Sequence, residues 1–210
     1  MTRSAPAPET APPVRRRQDE RSAAMRLQLM EATIASLIDL GYARTNTVEI
    51  CRRAGVTRGA LLHHFKDLGD LFAASLSHIY DELRASAEAR PHEVGGKALV
   101  DRLWTHFSQP AYKAVIELWL ACRNEPELEE TLQPAILRIR NLADPRTNPR
   151  LAARLGQSAE AAALYRLVLE AMIGMALGRA VTPGLGILGH EDSVVDLLGR
   201  LAADQLDETE

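Results

Sequence analysis

A turn followed by a short capped helix, residues 55–65, constrains the fold more than any other stretch of this chain. Gly55 is a turn residue at the end of one predicted helix, and the Thr57 hydroxyl can cap the next helix by accepting a backbone N–H. Leu61 and Phe65 are four residues apart and therefore share the face of that helix that packs inward. The stretch predicts a short helix, docked by one face, directly after a tight turn.

The opposite face of this helix is small at its start and basic at its end. On a helical wheel, Gly59, His63 and Lys66 cluster opposite the apolar pair. A small residue lets the N-terminal backbone come close to a phosphate, where N–H groups and the helix dipole favour an anion. This surface is typical of a helix that enters a DNA groove.

A second short helix is predicted directly before the turn, from about Thr47 to Ala54. Asn46 precedes it and Glu49 follows three residues later, which is the spacing of a capping box with Asn in the place of Ser or Thr. Two short helices joined by a glycine-containing turn of this length form a helix-turn-helix, here residues 46–65.

The fold class predicted for the whole chain is all-α, with about nine helices. Apolar residues recur at three- and four-residue steps, while valine and isoleucine never alternate over a strand-length run. Helices are predicted at about 22–40, 47–54, 57–65, 67–90, 96–108, 110–123, 126–142, 159–181 and 191–206, and the loop at 144–157 can hold a further short helix at 150–155. With 210 residues, the chain is long enough for one or two domains with a sizeable core.

Charge is distributed unevenly along the chain. The net charge is −3, which argues against a general nucleic-acid coat, but residues 1–66 hold eleven Arg and Lys against six Asp and Glu. A basic N-terminal third on an acidic body fits one end that docks on phosphate, although uneven solvated charge is an alternative. The Pro- and Ala-rich segment 1–20, which includes Arg15–Arg17, predicts a disordered basic tail that either lies along a phosphate backbone or is simply solvated.

Several classes of site and location find no support in the sequence. Cys51 and Cys122 lie in helical patterns and form no disulfide framework, and the histidines lack the spacing of metal ligands. The N-terminus lacks the apolar run of a signal peptide, and the most apolar segment, 161–181, contains Arg166 and Glu170 and so is not a simple membrane span. We therefore expect a cytoplasmic protein without a cofactor or a metal.

The run from Leu27 to Leu83 resembles the TetR family of bacterial transcriptional regulators. The matching elements are the first helix ending in Gly41-Tyr42, the segments 46–50 and 54–59, Leu61, and His63-His64-Phe65. They place caps, turn and core positions at matching spacings over roughly 55 residues. Two positions depart from the family pattern: Leu62 stands where the family usually has a tyrosine that touches a phosphate, and Leu68 stands where it usually has a lysine.

The resemblance implies a two-part architecture. Residues 21–82 would form the DNA-binding domain, a three-helix helix-turn-helix unit with the fourth helix as connector, and residues 83–210 a helical ligand-binding and dimerisation domain. The family pairs its last two helices with those of a two-fold mate, which implies a homodimer through 159–181 and 191–206. It also implies a repressor that binds a palindromic double-stranded DNA operator and leaves it when a small apolar or amphipathic effector binds, with the fourth helix transmitting the change.

Candidate DNA contacts lie in and around the helix-turn-helix. Arg58, at the start of its second helix, can form bidentate bonds to guanine or reach a phosphate, and threonine hydroxyls can donate to phosphates. The set expected to bind DNA is Arg44, Thr47, Thr57, Arg58, Gly59, Ala60, His63, His64 and Lys66. Each also has a plain structural explanation, as a cap, a helix-end residue or a solvated side chain.

Candidate ligand contacts are most of the large side chains of the body. Trp and Met line adaptable apolar pockets well, although a packed core explains each residue individually. The resemblance groups them into a pocket formed by Trp104, Phe107, Tyr112, Ile116, Trp119, Arg123, Tyr165, Leu169 and Met172, with Arg123, His106 and Arg166 as polar anchors.

Two other functions stay open at this point. One is a regulator that responds to a partner protein or to no ligand, and the other is a helical enzyme. The sequence offers no nucleophile with its base, phosphate loop or metal spacing for an enzyme. Binding to a defined duplex that weakens steeply with salt separates a regulator from an enzyme, and release by a small molecule separates the two kinds of regulator.

Overall fold

The computed structural model describes residues 13–88, 95–155, 158–181 and 189–206, and these residues form helices and connecting loops without a β-strand. The helices are α1 Pro13–Leu40, α2 Thr47–Ala54, α3 Arg58–His64, α4 Leu68–Glu88, α5 Gly96–Phe107, α6 Pro110–Cys122, α7 Pro126–Ala143, α8 Pro149–Leu155, α9 Ala159–Val181 and α10 Glu191–Leu206. A short 3-10 turn, Tyr42–Arg44, connects α1 to α2. The all-α prediction is confirmed.

The first helix is longer than the sequence pattern predicted. It begins at Pro13 and runs without a break through Ser22, where its start was expected. Proline is favourable at the first position of a helix, and the arginines, glutamine and glutamate that follow are good helix formers. The prediction of disorder is therefore wrong for residues 13–20, while residues 1–12 lie outside the described part of the chain.

The N-terminal helices enclose a small core of their own. It is formed by Leu29, Ala32, Ile50, Cys51, Ala54, Leu61, Phe65 and Leu71. Cys51 is thus a packed small residue, and burial raises the pKa of its thiol. Leu68, one of the two departures from the family pattern, is half-buried against both this core and the core of the body. A lysine there would bring its charge between two apolar clusters, which explains the leucine.

The body is built around a larger core shared by α4, α5, α6, α7, α9 and α10. Its tightest helix pair is α5 with α10: a Cβ added to Gly96 would lie 1.9 Å from the Ala202 carbonyl oxygen. The short helix α8 covers a satellite cluster made of Leu151, Leu155 and Tyr165. The loop that was expected to hold one short helix does so, which brings the α-helices of the described residues to ten.

The N-terminal unit is joined to the body by α6 as well as by α4. Lys113 of α6 donates from Nζ to the Ile38 carbonyl at 2.6 Å, and the backbone N–H of Tyr42 donates to Glu117 Oε2 at 2.9 Å. The Tyr42 hydroxyl also donates to the Glu125 carboxylate, at 2.5 Å. These bonds fasten the C-terminal end of α1 and the turn after it to α6 and to the loop that follows α6.

Helix α9 is long and apolar enough, by length and composition, to cross a membrane. Its mean hydropathy is 1.5, yet only 28% of its most apolar window is buried within the chain. Arg166 and Glu170 form an exposed ion pair at 3.7 Å on the same helix. Large apolar side chains are exposed on it and on α10, namely Leu167, Leu177, Val181, Val194, Leu197 and Leu201.

Candidate nucleic-acid interface

Asn46 sets the N-terminus of α2. Its backbone is extended, and its Oδ1 accepts the N–H groups of Val48 and Glu49, both at 3.1 Å. These bonds satisfy two of the N–H groups that a helix start leaves without partners. The predicted cap is confirmed, and it holds Thr47 half-buried at the first position of α2.

Glu49 has a different role from the one its spacing predicts. Its carboxylate accepts bonds from Arg52 Nε and Nη2 and from Arg53 Nε, each at 2.7 Å, and Arg53 also donates to Asp39 of α1 at 2.6 Å. The hydrogen bonds from Arg52 and then Arg53 lower the pKa of Glu49 to about 2. Glu49 therefore serves an ion-pair network that holds α2 to α1, rather than the reciprocal bond of a capping box.

Gly55 makes the turn between α2 and α3. Its φ of 63° and ψ of 31° are left-handed, a conformation that costs other residues about 1–2 kcal/mol. The Val56 N–H donates to the Cys51 carbonyl at 3.0 Å, and Gln28 of α1 donates from Nε2 to the Ala54 carbonyl at 2.8 Å. The turn is held by its own backbone and by α1, and it sets the direction of α3.

Helix α3 is docked by the face that the sequence predicted. Thr57 Oγ1 accepts the Ala60 N–H at 3.2 Å, which caps the helix start. Leu61 and Phe65 are 0% and 1% exposed, so the inward face is fully packed. The cap and the two core side chains hold the helix in one orientation.

Arg26 of α1 anchors the other end of α3, and sequence reasoning missed it. Its guanidinium carbon lies 4.2 Å from the centre of the Phe65 ring, and its Nη1 donates to the His64 carbonyl. A positive charge is favourable at the C-terminal end of a helix and over an aromatic face. The partner carbonyl is 38 residues away in sequence, so no local pattern could have indicated the contact.

The outward surface of α3 is open and basic. Arg58, Gly59 and His63 are exposed, and the Lys66 side chain just beyond the helix is 88% exposed. Among the described residues, Arg58 finds no hydrogen-bond or ion-pair partner. A Cβ on Gly59 would meet only Thr57 Oγ1, 3.8 Å away, and Gly59 has no positive φ. The fold does not require glycine there, and its presence leaves the backbone accessible to another molecule.

Three other predicted DNA contacts also have structural roles. Arg44 is exposed, but its Nε donates to the Leu40 carbonyl at 3.1 Å and so helps to end α1. Ala60 is half-buried. His64 is half-buried beside His63, with ring centres 5.2 Å apart, and burial, followed by the positive neighbours, lowers its pKa. Of these three side chains, only that of Arg44 is exposed.

Two apolar side chains on the helix-turn-helix are exposed: Val48 at 75% and Leu62 at 49%. The sequence singled out Leu62 only as a departure from the family pattern, and it gave Val48 no role in binding. Neither residue contributes to the core of this unit. In a major groove, exposed apolar side chains such as these can contact the methyl group of thymine.

The structure brings most of the predicted ligand residues together in the body. Phe107, Tyr112, Ile116 and Met172 are buried in its core, and Trp104, Trp119 and Leu169 are half-buried against it. Tyr165 lies instead in the satellite cluster under α8. Arg123 is exposed at the end of α6, and Arg166 is exposed and paired with Glu170, so neither is a buried polar anchor. His106 is buried, and burial lowers its pKa to about 4.

A cleft of about 150 Å³ opens between the α5–α6 turn and α9. It is lined by Phe107, Ser108, Gln109, Pro110, Tyr112, Lys113, Ala176, Arg179 and Ala180. Lys113 is engaged with the Ile38 carbonyl, and the Arg179 guanidinium carbon lies 5.7 Å from the centre of the Trp104 ring. The cleft reaches the body core through Phe107 and Tyr112, two of the predicted ligand residues.

Residues 29–75 match the sequence model of bacterial regulatory proteins of the tetR family. An uncharacterized HTH-type transcriptional regulator of Mycobacterium tuberculosis is 34% identical over 127 residues, which cover 56% of this chain and 63% of the relative. The chain thus spans less than two thirds of that relative's length. The matched names describe transcriptional regulators rather than enzymes.

Solved structures of regulators share the fold. A transcriptional regulator from Rhodococcus sp. Rha1 superposes with a TM-score of 0.64 at 20% identity, covering 85% of this chain and 96% of its own. The transcriptional regulator FadR from Bacillus subtilis, solved in complex with stearoyl-CoA, gives a TM-score of 0.61 at 17% identity. The superposition covers 82% of this chain and 96% of the FadR chain. At these identities the likeness establishes the architecture, which extends over the body as well as the N-terminal unit.

Proposed function

We propose, since this chain belongs to the TetR family of bacterial regulatory proteins, that it is a cytoplasmic, sequence-specific DNA-binding transcriptional regulator that acts as a repressor. The observation that carries the proposal is the outward surface of α3. On the exposed side of this docked helix, the Arg58 guanidinium has no hydrogen-bond or ion-pair partner within the described part of the chain, and Gly59 is uncrowded. Such a surface is complementary to the base edges and phosphates of a major groove.

The proposed role of each residue in DNA binding follows from the chemistry of its side chain. Arg58 binds a guanine or a phosphate, and Gly59 with Ala60 allows the backbone to come close. Phosphate contacts come from Arg44, Thr47, Thr57, His63, His64 and Lys66, helped by the basic residues Arg15–Arg17 at the start of α1. Leu62 cannot donate to a phosphate, so its contribution is apolar contact with a thymine methyl group.

Arg58→Ala is expected to remove most of the sequence preference. Losing a bidentate contact to a base costs about 1–3 kcal/mol, so the affinity for a specific duplex should fall by about tenfold or more, while binding to random DNA changes less. Fluorescence anisotropy titrations of both duplexes with each protein measure the ratio of the affinity for the specific duplex to the affinity for random DNA. Arg140→Ala, at an exposed arginine of α7, is the matched control and should bind like the wild type. An unchanged ratio for Arg58→Ala would show that this arginine is merely solvated.

We propose that the protein is a homodimer joined through α9 and α10. Exposed leucines and valines run along both helices, and most of the apolar window of α9 is not buried within one chain. Gly174 of α9 has no atom within 4 Å of a Cβ placed on it, which leaves room for another helix to approach closely. Pairing α9 and α10 with their two-fold mates in a four-helix bundle would bury this surface.

Leu197→Glu is expected to convert the dimer into a monomer. Leu197 is 48% exposed in one chain, so the substitution spares the monomer's core but puts a carboxylate into the proposed interface. Sedimentation velocity would detect the change in mass. DNA affinity should also fall, because a monomer has one N-terminal unit and can bind only one half-site. Leu137→Glu on α7, where the leucine is 40% exposed, serves as the control that stays dimeric. A dimeric Leu197→Glu protein would place the interface elsewhere.

We propose that a small molecule bound in the body releases the protein from DNA, and that α6 carries the signal. One side of α6 contributes Tyr112, Ile116 and Trp119 to the body core, while Lys113 and Glu117 hold the end of α1. The resemblance implies this role for α4, and α6 offers a second and more direct link between the cleft and the N-terminal unit. A shift of α6 on ligand binding would change the distance between the two N-terminal units of the dimer. A coupling free energy of a few kcal/mol between ligand and DNA binding alters the occupancy of the operator about a hundredfold.

A further inference from the structure

Four side-chain atoms in the body are buried without a hydrogen-bond partner in the described part of the protein. They are the Tyr80 hydroxyl, His106 Nε2, the Tyr112 hydroxyl and Trp119 Nε1. Tyr80, His106 and Tyr112 are 5%, 6% and 2% exposed. Buried polar groups are nearly always paired, because an unpaired one loses its bonds to water and gains nothing in return. Four in one region call for a common explanation.

The four side chains form one contiguous row from α4 through α5 to α6. Ring centres are 6.2 Å apart between Tyr80 and His106, 5.6 Å between His106 and Tyr112, and 6.0 Å between Tyr112 and Trp119. Tyr112 also lines the cleft of about 150 Å³. This aromatic row therefore joins the cleft to a set of unsatisfied polar atoms behind its wall.

The chemistry of the row is polar but uncharged. Trp119 Nε1 can only donate, and each tyrosine hydroxyl can donate or accept. Burial lowers the pKa of His106 to about 4, so its ring is neutral at neutral pH. The two cations that line the cleft have other contacts: Lys113 donates to the Ile38 carbonyl, and Arg179 lies against the Trp104 ring. The row itself contains no charged side chain, so a charged ligand on it would lose its hydration without an ion pair from the row, at a high cost.

We infer, building on the proposed function, that the effector is an uncharged, ring-sized compound that carries a hydrogen-bonding oxygen and is held by the aromatic row. The row supplies ring faces for stacking and donors for that oxygen. A cavity of this size accommodates a molecule the size of benzene, not a long acyl chain.

Direct binding of small probes to the free full-length protein tests the inference. Phenol and acetophenone represent the uncharged polar class, benzoate and benzylamine carry one charge of either sign, and toluene lacks a hydrogen-bonding group. By isothermal titration calorimetry, phenol and acetophenone should bind at least about tenfold more tightly than the other three probes. Tyr112→Phe keeps the ring but removes the hydroxyl, and it should weaken phenol binding by about tenfold.

Tyr165→Phe is the matched control, because its ring lies in the satellite cluster away from the row, and phenol binding should not change. If Tyr112→Phe does not fold, Tyr80→Phe removes the next hydroxyl of the row instead. Benzoate, benzylamine or toluene binding as tightly as phenol, no binding of any probe, or a Tyr112→Phe protein that binds phenol normally would each overturn the inference. Because this assay contains no DNA, such a result would not affect the proposal of DNA binding. A wild-type protein that fails to bind any specific duplex would overturn the proposed function instead.

Discussion

Gly59→Leu is expected to abolish specific DNA binding while the protein stays folded. Gly59 is exposed on α3, and within the described residues a Cβ there has only Thr57 Oγ1 near it, at 3.8 Å. On the DNA side, the same side chain would stand between the α3 backbone and the duplex. We expect a loss of at least about a hundredfold in affinity, or about 3 kcal/mol. Thermal unfolding and duplex binding, measured on the same preparation, would show the two effects separately.

Gly59→Ala provides the matched comparison, because stability and binding should change in opposite directions. Alanine within a helix is more stable than glycine by up to about 1 kcal/mol, so the variant should melt at a slightly higher temperature. Its methyl group should still weaken DNA binding, though less than leucine does. Normal operator binding by both variants would mean that α3 does not approach DNA by this side.

Gly96→Ala is expected to destabilise the body severely. The new Cβ would lie 1.9 Å from the Ala202 carbonyl oxygen and 2.1 Å from its carbonyl carbon, and both are backbone atoms that cannot rotate away. Helices α5 and α10 would have to separate, and overpacking of this kind costs about 3 kcal/mol or more. Urea denaturation followed by circular dichroism would measure the loss in the free energy of unfolding.

Gly199→Ala on the facing helix is the control for that loss. Its Cβ would approach Lys97 Cγ at 3.3 Å, and a lysine side chain can move. We expect a change within about 1 kcal/mol, because the helix also gains from alanine. A Gly96→Ala protein as stable as Gly199→Ala would show that α5 and α10 are not in backbone contact.

The N-terminal unit was largely predictable because its signals are local. The Asn46 and Thr57 caps, the Gly55 turn and the spacing of Leu61 and Phe65 each act within a few residues, and each is confirmed. Contacts between distant residues were not predictable. Arg26 meets α3 from 38 positions away. The Glu49 carboxylate binds two arginines instead of the expected backbone N–H, because the two guanidinium groups together offer it three ion-paired hydrogen bonds.

In the body, the apolar periodicity of the sequence predicted less. Apolar spacing predicted its helices, but it could not say which large side chains share a cluster, because that depends on how the helices are arranged. Tyr165 was grouped with Tyr112 and lies in a different cluster, while Tyr80, on the connector helix, was not considered at all. Polar atoms left unpaired in a core cannot be read from residue types.

Selection of duplexes from a random pool by the purified full-length protein would show directly whether a dimer reads DNA with α3. We expect enrichment of an inverted repeat whose half-sites lie about 10 base pairs, or a multiple of that, apart, because two copies of α3 related by a two-fold axis would enter successive major grooves. Binding to this duplex should weaken steeply with salt. A pool without any enriched sequence, or enrichment of one unrepeated half-site, would contradict a dimeric protein that reads DNA with α3.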